Sequence, residues 1–370
     1  MAHVRQPAMM SPMSRLPLLL SPFSRVARQT LLLMLLVMAG AVSAQTLSEV
    51  TLPVADRSTE ARGATLRAGL EQILVRLTGS RTPDTVPGAA AMLDAPESWV
   101  AQYGYVGSND ALQLQARFDV QAISDQLARN GAPVWGAARP PVLLWVVSDR
   151  GDIHSRDSDA NFMQALHSGA EARGLPLLLP VMDDTDRARI SASDIRGRFD
   201  RQLREASRRY DSPLSATVVY YTSGRPSLRW RIVQEGSTLR EGQLNADSEA
   251  ALARDLADTL ADFMADLYAV QGSEARLARL EIDGINSLGD WQSVRTYIAR
   301  QAGVRDVALG RLDGEVAELR LDFAGDSAQL ERLLTLSGDL QRCAAQPVSG
   351  ELAPATALTD GILLRLCWTR

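Results

Sequence analysis

Residues 131–147 read GAPVWGAARPPVLLWVV, and how this stretch is read decides how the chain divides. Gly131 suits the end of a preceding helix, since glycine adopts the left-handed conformation without a Cβ clash. Pro133, Pro140 and Pro141 each fix φ, and Pro141 also holds its neighbour extended, so the segment reads as a stiff joint. Val142 to Val147 are then apolar without alternation, the pattern of a strand covered on both faces. A strand of that kind needs cover on two sides, so a new unit is expected to begin at 140. Trp135 and Arg139 lie in the joint. An arginine stacked on a tryptophan face pins a linker; the same pair could instead dock a partner peptide.

Working outward, residues 45–131 read as strand, helix, hairpin, helix. "TLSEVTLPV" alternates like a strand, and Asp56 is the expected N-cap of a helix carrying Leu66, Leu70, Ile73, Leu74 and Leu77 on one face. "SWVAQYGYVGSNDALQLQARFDV" reads as two strands turning around Gly107 to Asp110, after which Asp119 caps a short helix. Residues 273–370 repeat that order. "RLARLEIDGI" is a strand, Ser287 with Asp290 resembles a capping box, Asp313-Gly314 is a hairpin turn, and Asp326 starts a last helix. Between them, 140–272 carries "PVLLWVV", a second short buried run "LPLLLPVM", three strands with tight connections, and a helix bearing Leu252, Leu256, Leu260, Phe263, Met264 and Leu267. The expected class is α+β: a βαββα unit over 45–131, a rigid linker over 132–139, a central mixed α/β sheet unit over 140–272, and a second βαββα, ferredoxin-like unit over 273–370.

The N-terminus indicates a destination. Arg5, Arg15, Arg25 and Arg28 precede the apolar run "LLLMLLVMAGAVSA" from Leu31, which ends in small residues at Ala44. These are the parts of a secretory signal peptide over 1–44, and the run is shorter than the roughly 20 residues a membrane span needs. The expectation is an exported, periplasmic protein with no stable membrane span after cleavage; retention of the segment as an anchor is the alternative.

Composition narrows the chemistry. Of 370 residues, 46% are hydrophobic and 22% charged, as in globular domains. The net charge is −5, and four of the arginines but none of the acids fall before residue 45, so the exported chain is more acidic still. With no basic run, nucleic-acid binding is not expected. The sequence contains no lysine, which removes phosphate-loop, Schiff-base and lysine-base chemistry. Cys343 and Cys367, the chain's two cysteines, are expected to form a disulfide after export.

Few groups suggest a reaction. His154 and His167 have neither metal-ligand spacing nor a nearby cysteine. Asp183, Asp184, Asp186 and Asp194 come after a short buried strand, where α/β folds often bind ligands, and Asp184 with Asp186 could hold a divalent cation. The plainer reading is a strand-to-helix loop in which Ser193 or Asp194 caps the next helix. Serine-nucleophile and dinucleotide-binding glycine motifs are absent from the sequence. Trp145 and Trp230 fall inside strand patterns and read as core.

"PVWGAARPPVLLWV", "RGLPLLLPVMDDTDRARIS", "DIRGRF" and "PVADRSTEARGATLRAGLEQILVRLTG" together resemble a bacterial family known as domain of unknown function 2066, over roughly residues 46–270. Arg196 stands where such sequences carry tryptophan. The resemblance implies export in Gram-negative bacteria and brings no cofactor or catalytic residue with it. The functional expectation is a non-catalytic envelope protein that binds a protein or peptide partner, with exposed strand edges suited to strand addition. Two alternatives stand beside it: a metal-assisted hydrolase or transferase using the Asp183–Asp194 loop, or a small-ligand carrier with its site between the first two units. No cofactor is expected.

Overall fold

The computed structural model describes residues 47–108, 111–158, 160–234, 236–271, 275–335, 338–343 and 362–369, which form an α+β fold with three sheets. The expected signal segment lies outside the described residues. Among them, no helix is long and apolar enough to cross a membrane.

The first sheet comes from β1 (Glu49–Pro53), β2 (Val100–Val106) and β3 (Gln113–Phe118), in the order β1-β3-β2 with both pairings antiparallel. Helices α1 (Thr59–Thr78), α2 (Ala89–Asp94) and α3 (Val120–Arg129) accompany it. Alternation in β3 turns Leu114, Ala116 and Phe118 inward, where they share a core with Leu70, Ile73 and Leu74 of α1 and Ile123 of α3. Gly69 allows α1 this close, since a Cβ there would lie 2.9 Å from a Val50 methyl. The N-cap of α1 is Ser58, whose Oγ accepts from Ala61 N; Asp56, the expected cap, instead accepts from Ser58 N.

The second sheet contains β4 (Val142–Ser148), β5 (Ile153–His154), β6 (Leu177–Leu178), β7 (Leu214–Tyr221), β8 (Ser227–Gln234) and β9 (Ser237–Asn245). Its order is β5-β4-β7-β8-β9, with β6 beside β4; β4 is parallel to β6 and β7, and β7-β8-β9 is an antiparallel meander. Every residue of β4 is buried. Val142, Leu144 and Val146 belong to the cluster on one face, with α4 (Asn161–Ala172) and α8 (Glu249–Tyr268). Leu143, Trp145 and Val147 belong to the other, under α5 (Asp184–Arg189), α6 (Ala192–Gly197) and α7 (Asp200–Ser207). The run "LPLLLPVM" pairs over only two residues, because Pro176 and Pro180 lack the N–H that a ladder requires.

The third sheet joins β10 (Arg276–Asp283), β11 (Val304–Asp313), β12 (Val316–Phe323), β13 (Leu340–Arg342) and β14 (Ile362–Trp368), in the order β11-β12-β10-β14-β13. Helices α9 (Leu288–Ala299) and α10 (Ser327–Leu334) cover one face. Ser287 caps α9, but Asp290 reaches back to Asn286 N and the Ser287 hydroxyl, so the expected box is only half formed. The βαββα order holds through α10, and the ferredoxin-like description ends there. The strand next to β10 is β14, parallel to it, with β13 outside and antiparallel. A disulfide between Cys343 and Cys367 fastens β13 to β14. The second and third sheets share one hydrophobic cluster, which also takes in Trp135.

Candidate functional site

The joint is built around an arginine that closes helix ends. The last carbonyls of an α-helix have no partner within the helix. At the end of α1, Val75 O accepts from Gly79 N, Leu77 O from Trp135 N, and Arg76 O from Arg139 Nη2 at 2.7 Å. Beyond α4, Gly174 O accepts from Arg139 Nη1 at 2.6 Å. The same guanidinium donates to Gly136 O and Trp135 O and lies 3.9 Å from the Trp135 ring centre. Burial, with the neighbouring Arg76 cation, lowers the Arg139 pKa yet leaves it protonated at neutral pH. Arg173 completes the joint, donating to Gly79 O and pairing with Asp258 and Asp262 of α8. Burial raises the Asp262 pKa, but hydrogen bonds from Arg81 and Arg173 outweigh it and carry it below the ordinary value. Trp135 is 1% exposed and Arg139 half-buried in carbonyl contacts, so neither offers a partner a free face. The pair pins the linker.

The acidic loop is equally committed. Asp183 caps α5 through Asp186 N and takes a bidentate pair from Arg209, whose hydrogen bond lowers its pKa to about 2. Asp186, 0% exposed, accepts from Met182 N at 2.9 Å, from Arg209 Nη1 at 3.1 Å and from the Tyr210 hydroxyl. Burial first, then Asp186, pushes the Tyr210 pKa up to about 12. Asp194 forms a capping box with Ser191, which takes the place expected of Ser193 or Asp194 as the cap. Asp184 points to solvent beside Arg187. The four acids thus serve helix ends and ion pairs and do not converge on one point. Among the described residues, three potential ligands come together only at Asp283, Cys343 and Cys367, where the two sulfurs are already bonded.

His154 Nε2 lies 2.8 Å from the Tyr220 hydroxyl, and burial lowers its pKa; His167 meets the Met163 carbonyl one turn back. Arg196 donates to Ser148 O and Asp149 O, tying α6 to the end of β4. An open crevice of about 680 Å³, lined by Arg204, Ser207, Ser215, Gln234 and Arg342, lies where the second sheet meets β13. The ligand-carrier reading placed its site elsewhere, between the first two units.

Among the described residues, no strand pairs with the outer edge of β2, and this edge has the clearest capacity to bind. Edge strands present unpaired N–H and C=O groups, and proteins guard them with charges, prolines, bulges or shortness. β1 carries Glu49 and Pro53; β9 carries Arg240, Glu241 and a register irregularity. β11 has Arg305, Asp306, Arg311, Asp313 and two irregularities, while β13, β5 and β6 are two or three residues long. β2, VAQYGYV, has no charged residue and a single irregularity at its start, leaving Gln102–Val106 regular. Tyr103, 47% exposed, and Tyr105 share one face, their ring centres 6.3 Å apart and edge to face. Arg62 lies 5.6 Å from the Tyr103 ring and Arg57 lies 5.3 Å from the Tyr105 ring. A cleft of about 290 Å³ opens beside them, lined by Arg62, Leu66, Glu97 and Tyr103. Tyrosine and arginine beside an open strand edge are a composition suited to holding polypeptide. Sequence reasoning passed over these residues, although "QYGYV" puts two tyrosines on one strand face with no charge between them.

A family model described as a domain of unknown function (DUF8605) matches residues 41–136, from just before β1 into the joint as far as Gly136. This overturns the resemblance to domain of unknown function 2066, a different family; what the two share is that neither carries a known function. No curated protein matches the chain.

Proposed function

We propose that the chain is an exported, periplasmic envelope protein that acts without catalysis, binding an extended segment of another polypeptide along the free edge of β2. The observation that carries the reading is the uncharged, regular edge Gln102–Val106 with its paired tyrosines. An added strand would gain main-chain hydrogen bonds from the edge and side-chain contacts with Tyr103, Tyr105 and the cleft beside them. The N-terminal signal features support export, and the engagement of the acidic loop in caps and ion pairs supports a role outside catalysis. The test is a photo-reactive residue placed in turn at Tyr103, Leu239 on β9 and Leu309 on β11, in cells. Adducts with another envelope polypeptide from position 103 but not from 239 or 309 are expected. Equal yields from all three edges, or none from 103, would reject the reading; recovery of the chain with residues 1–44 intact and in the cytoplasm would reject export.

A further inference from the structure

The geometry points to a second copy of this chain as an occupant of the β2 edge, paired antiparallel about a two-fold axis through Gly104. This inference rests on the reading of β2 as the docking edge and names a partner for it. An isologous contact requires a self-complementary surface, and β2 is one. In its register with β3, Tyr103 and Tyr105 face the helices, opposite Ala116 and Leu114; Gln102, Gly104 and Val106 face away, opposite Arg117, Gln115 and Gln113. Centring the pairing on Gly104 sets Tyr103 against the second copy's Tyr105, twice, and Gln102 against the second copy's Val106, twice. Aromatic cross-strand pairs stabilise a sheet, whereas like charges directly opposite destabilise it; here no charges oppose. The pairing also brings the second copy's Arg57, which lies over Tyr105, toward the Arg62–Glu97 ion pair beside Tyr103, where the half-exposed Glu97 carboxylate has a second oxygen to accept from it at each end. The result is one six-stranded sheet, β1-β3-β2 continued into its symmetry mate. The same operation on β11 fails, because the extra residues at its two irregularities throw opposing side chains onto different faces.

Cysteine substitution tests the register in the full exported chain, whose own two cysteines are bonded to each other. A side chain at Gly104 has nothing within 4 Å, and its φ lies outside the left-handed range, so Gly104→Cys fits the fold. On the axis, the Cα atoms at position 104 of the two copies would sit about 4.5–5.5 Å apart, within disulfide reach. Gln102→Cys would lie about 13 Å from its own copy, beyond reach, while Gln102→Cys with Val106→Cys restores reach. With a mild thiol oxidant, Gly104→Cys and the double variant are expected to form covalent dimers at least tenfold faster than Gln102→Cys. The unmodified chain should sediment with a dimer fraction at about 50 µM, as befits a small interface. Equal cross-linking of Gly104→Cys and Gln102→Cys, or a wholly monomeric chain, overturns the dimer. If the chain is monomeric while position 103 still captures another envelope protein, the dimer falls and the proposed function stands.

Discussion

Replacing Arg139 tests the joint most directly. Its guanidinium satisfies carbonyls from α1, the linker and the second residue beyond α4, positions up to 98 apart along the chain (Arg76 to Gly174). Arg139→Ala leaves these acceptors without their donor and removes the contact with Trp135. A hydrogen bond to a charged group contributes about 1.5–3 kcal/mol, and a cation–π contact about 0.5–2 kcal/mol. Simple addition overstates the loss, because the side chain is half-buried, water can reach some carbonyls, and deletion also removes a desolvated cation. About 3 kcal/mol remains, several degrees in melting temperature for a protein of this size. Arg139→Lys keeps the charge but cannot fork to several carbonyls, and should recover less than half of the loss. Urea unfolding followed by circular dichroism gives both values. Since the first core meets the rest largely through this joint, Arg139→Ala should also separate unfolding into two transitions. A loss below about 0.5 kcal/mol with a single transition would show that the carbonyl contacts do not hold the joint.

Three further outcomes rest on described contacts. Asp186→Ala leaves Met182 N, the Tyr210 hydroxyl and Arg209 without their shared acceptor, and should cost about 2–4 kcal/mol in urea unfolding; a loss near zero would mean the loop tolerates water there. Asp183 has its pKa depressed from 3.8 to about 2, so its contribution is present above 3.8 and is lost as pH falls toward 2. Asp183→Asn should therefore flatten the acid-unfolding curve in that window while leaving its shape above pH 5 unchanged, and an unaltered curve would contradict the Arg209 pairing. Cys343→Ser opens a loop spanning 24 residues and should cost about 3 kcal/mol, with faster amide exchange in β13 than in β10; uniform exchange would show that β13 stays docked without the bond.

Much of the fold was legible where one physical rule dominated. The apolar run at 142–147 became a strand covered on both faces, and the alternation in "QLQARF" became a half-buried one. Asp119 and Asp326 cap their helices as read. Misreadings arose where two short polar residues competed for one end, so that Ser58 displaced Asp56 and Ser191 displaced its neighbours. The insertion of β14 beside β10 could not be read, because a parallel pairing of residues as distant as Ala278 and Ile362 leaves no local pattern. At the joint, sequence placed Trp135 next to Arg139 but could not show that Arg76 and Gly174 bring their carbonyls to the same point. The β2 edge was missed because being an edge is a property of the sheet and not of the strand.

The placement of β14 has a mechanical consequence. Tension applied at Thr369 would load the parallel β10–β14 ladder lengthwise, so that its hydrogen bonds must fail together and not one after another. Two residues in from that point, the bond from Cys367 to Cys343 passes part of the load to β13 on the other side. In the oxidised state two neighbouring strands share the load on β14, and a dithiol would leave the β10–β14 ladder to carry it with β13 held by hydrogen bonds alone, so the rupture force should fall without the failure changing from shear to peeling.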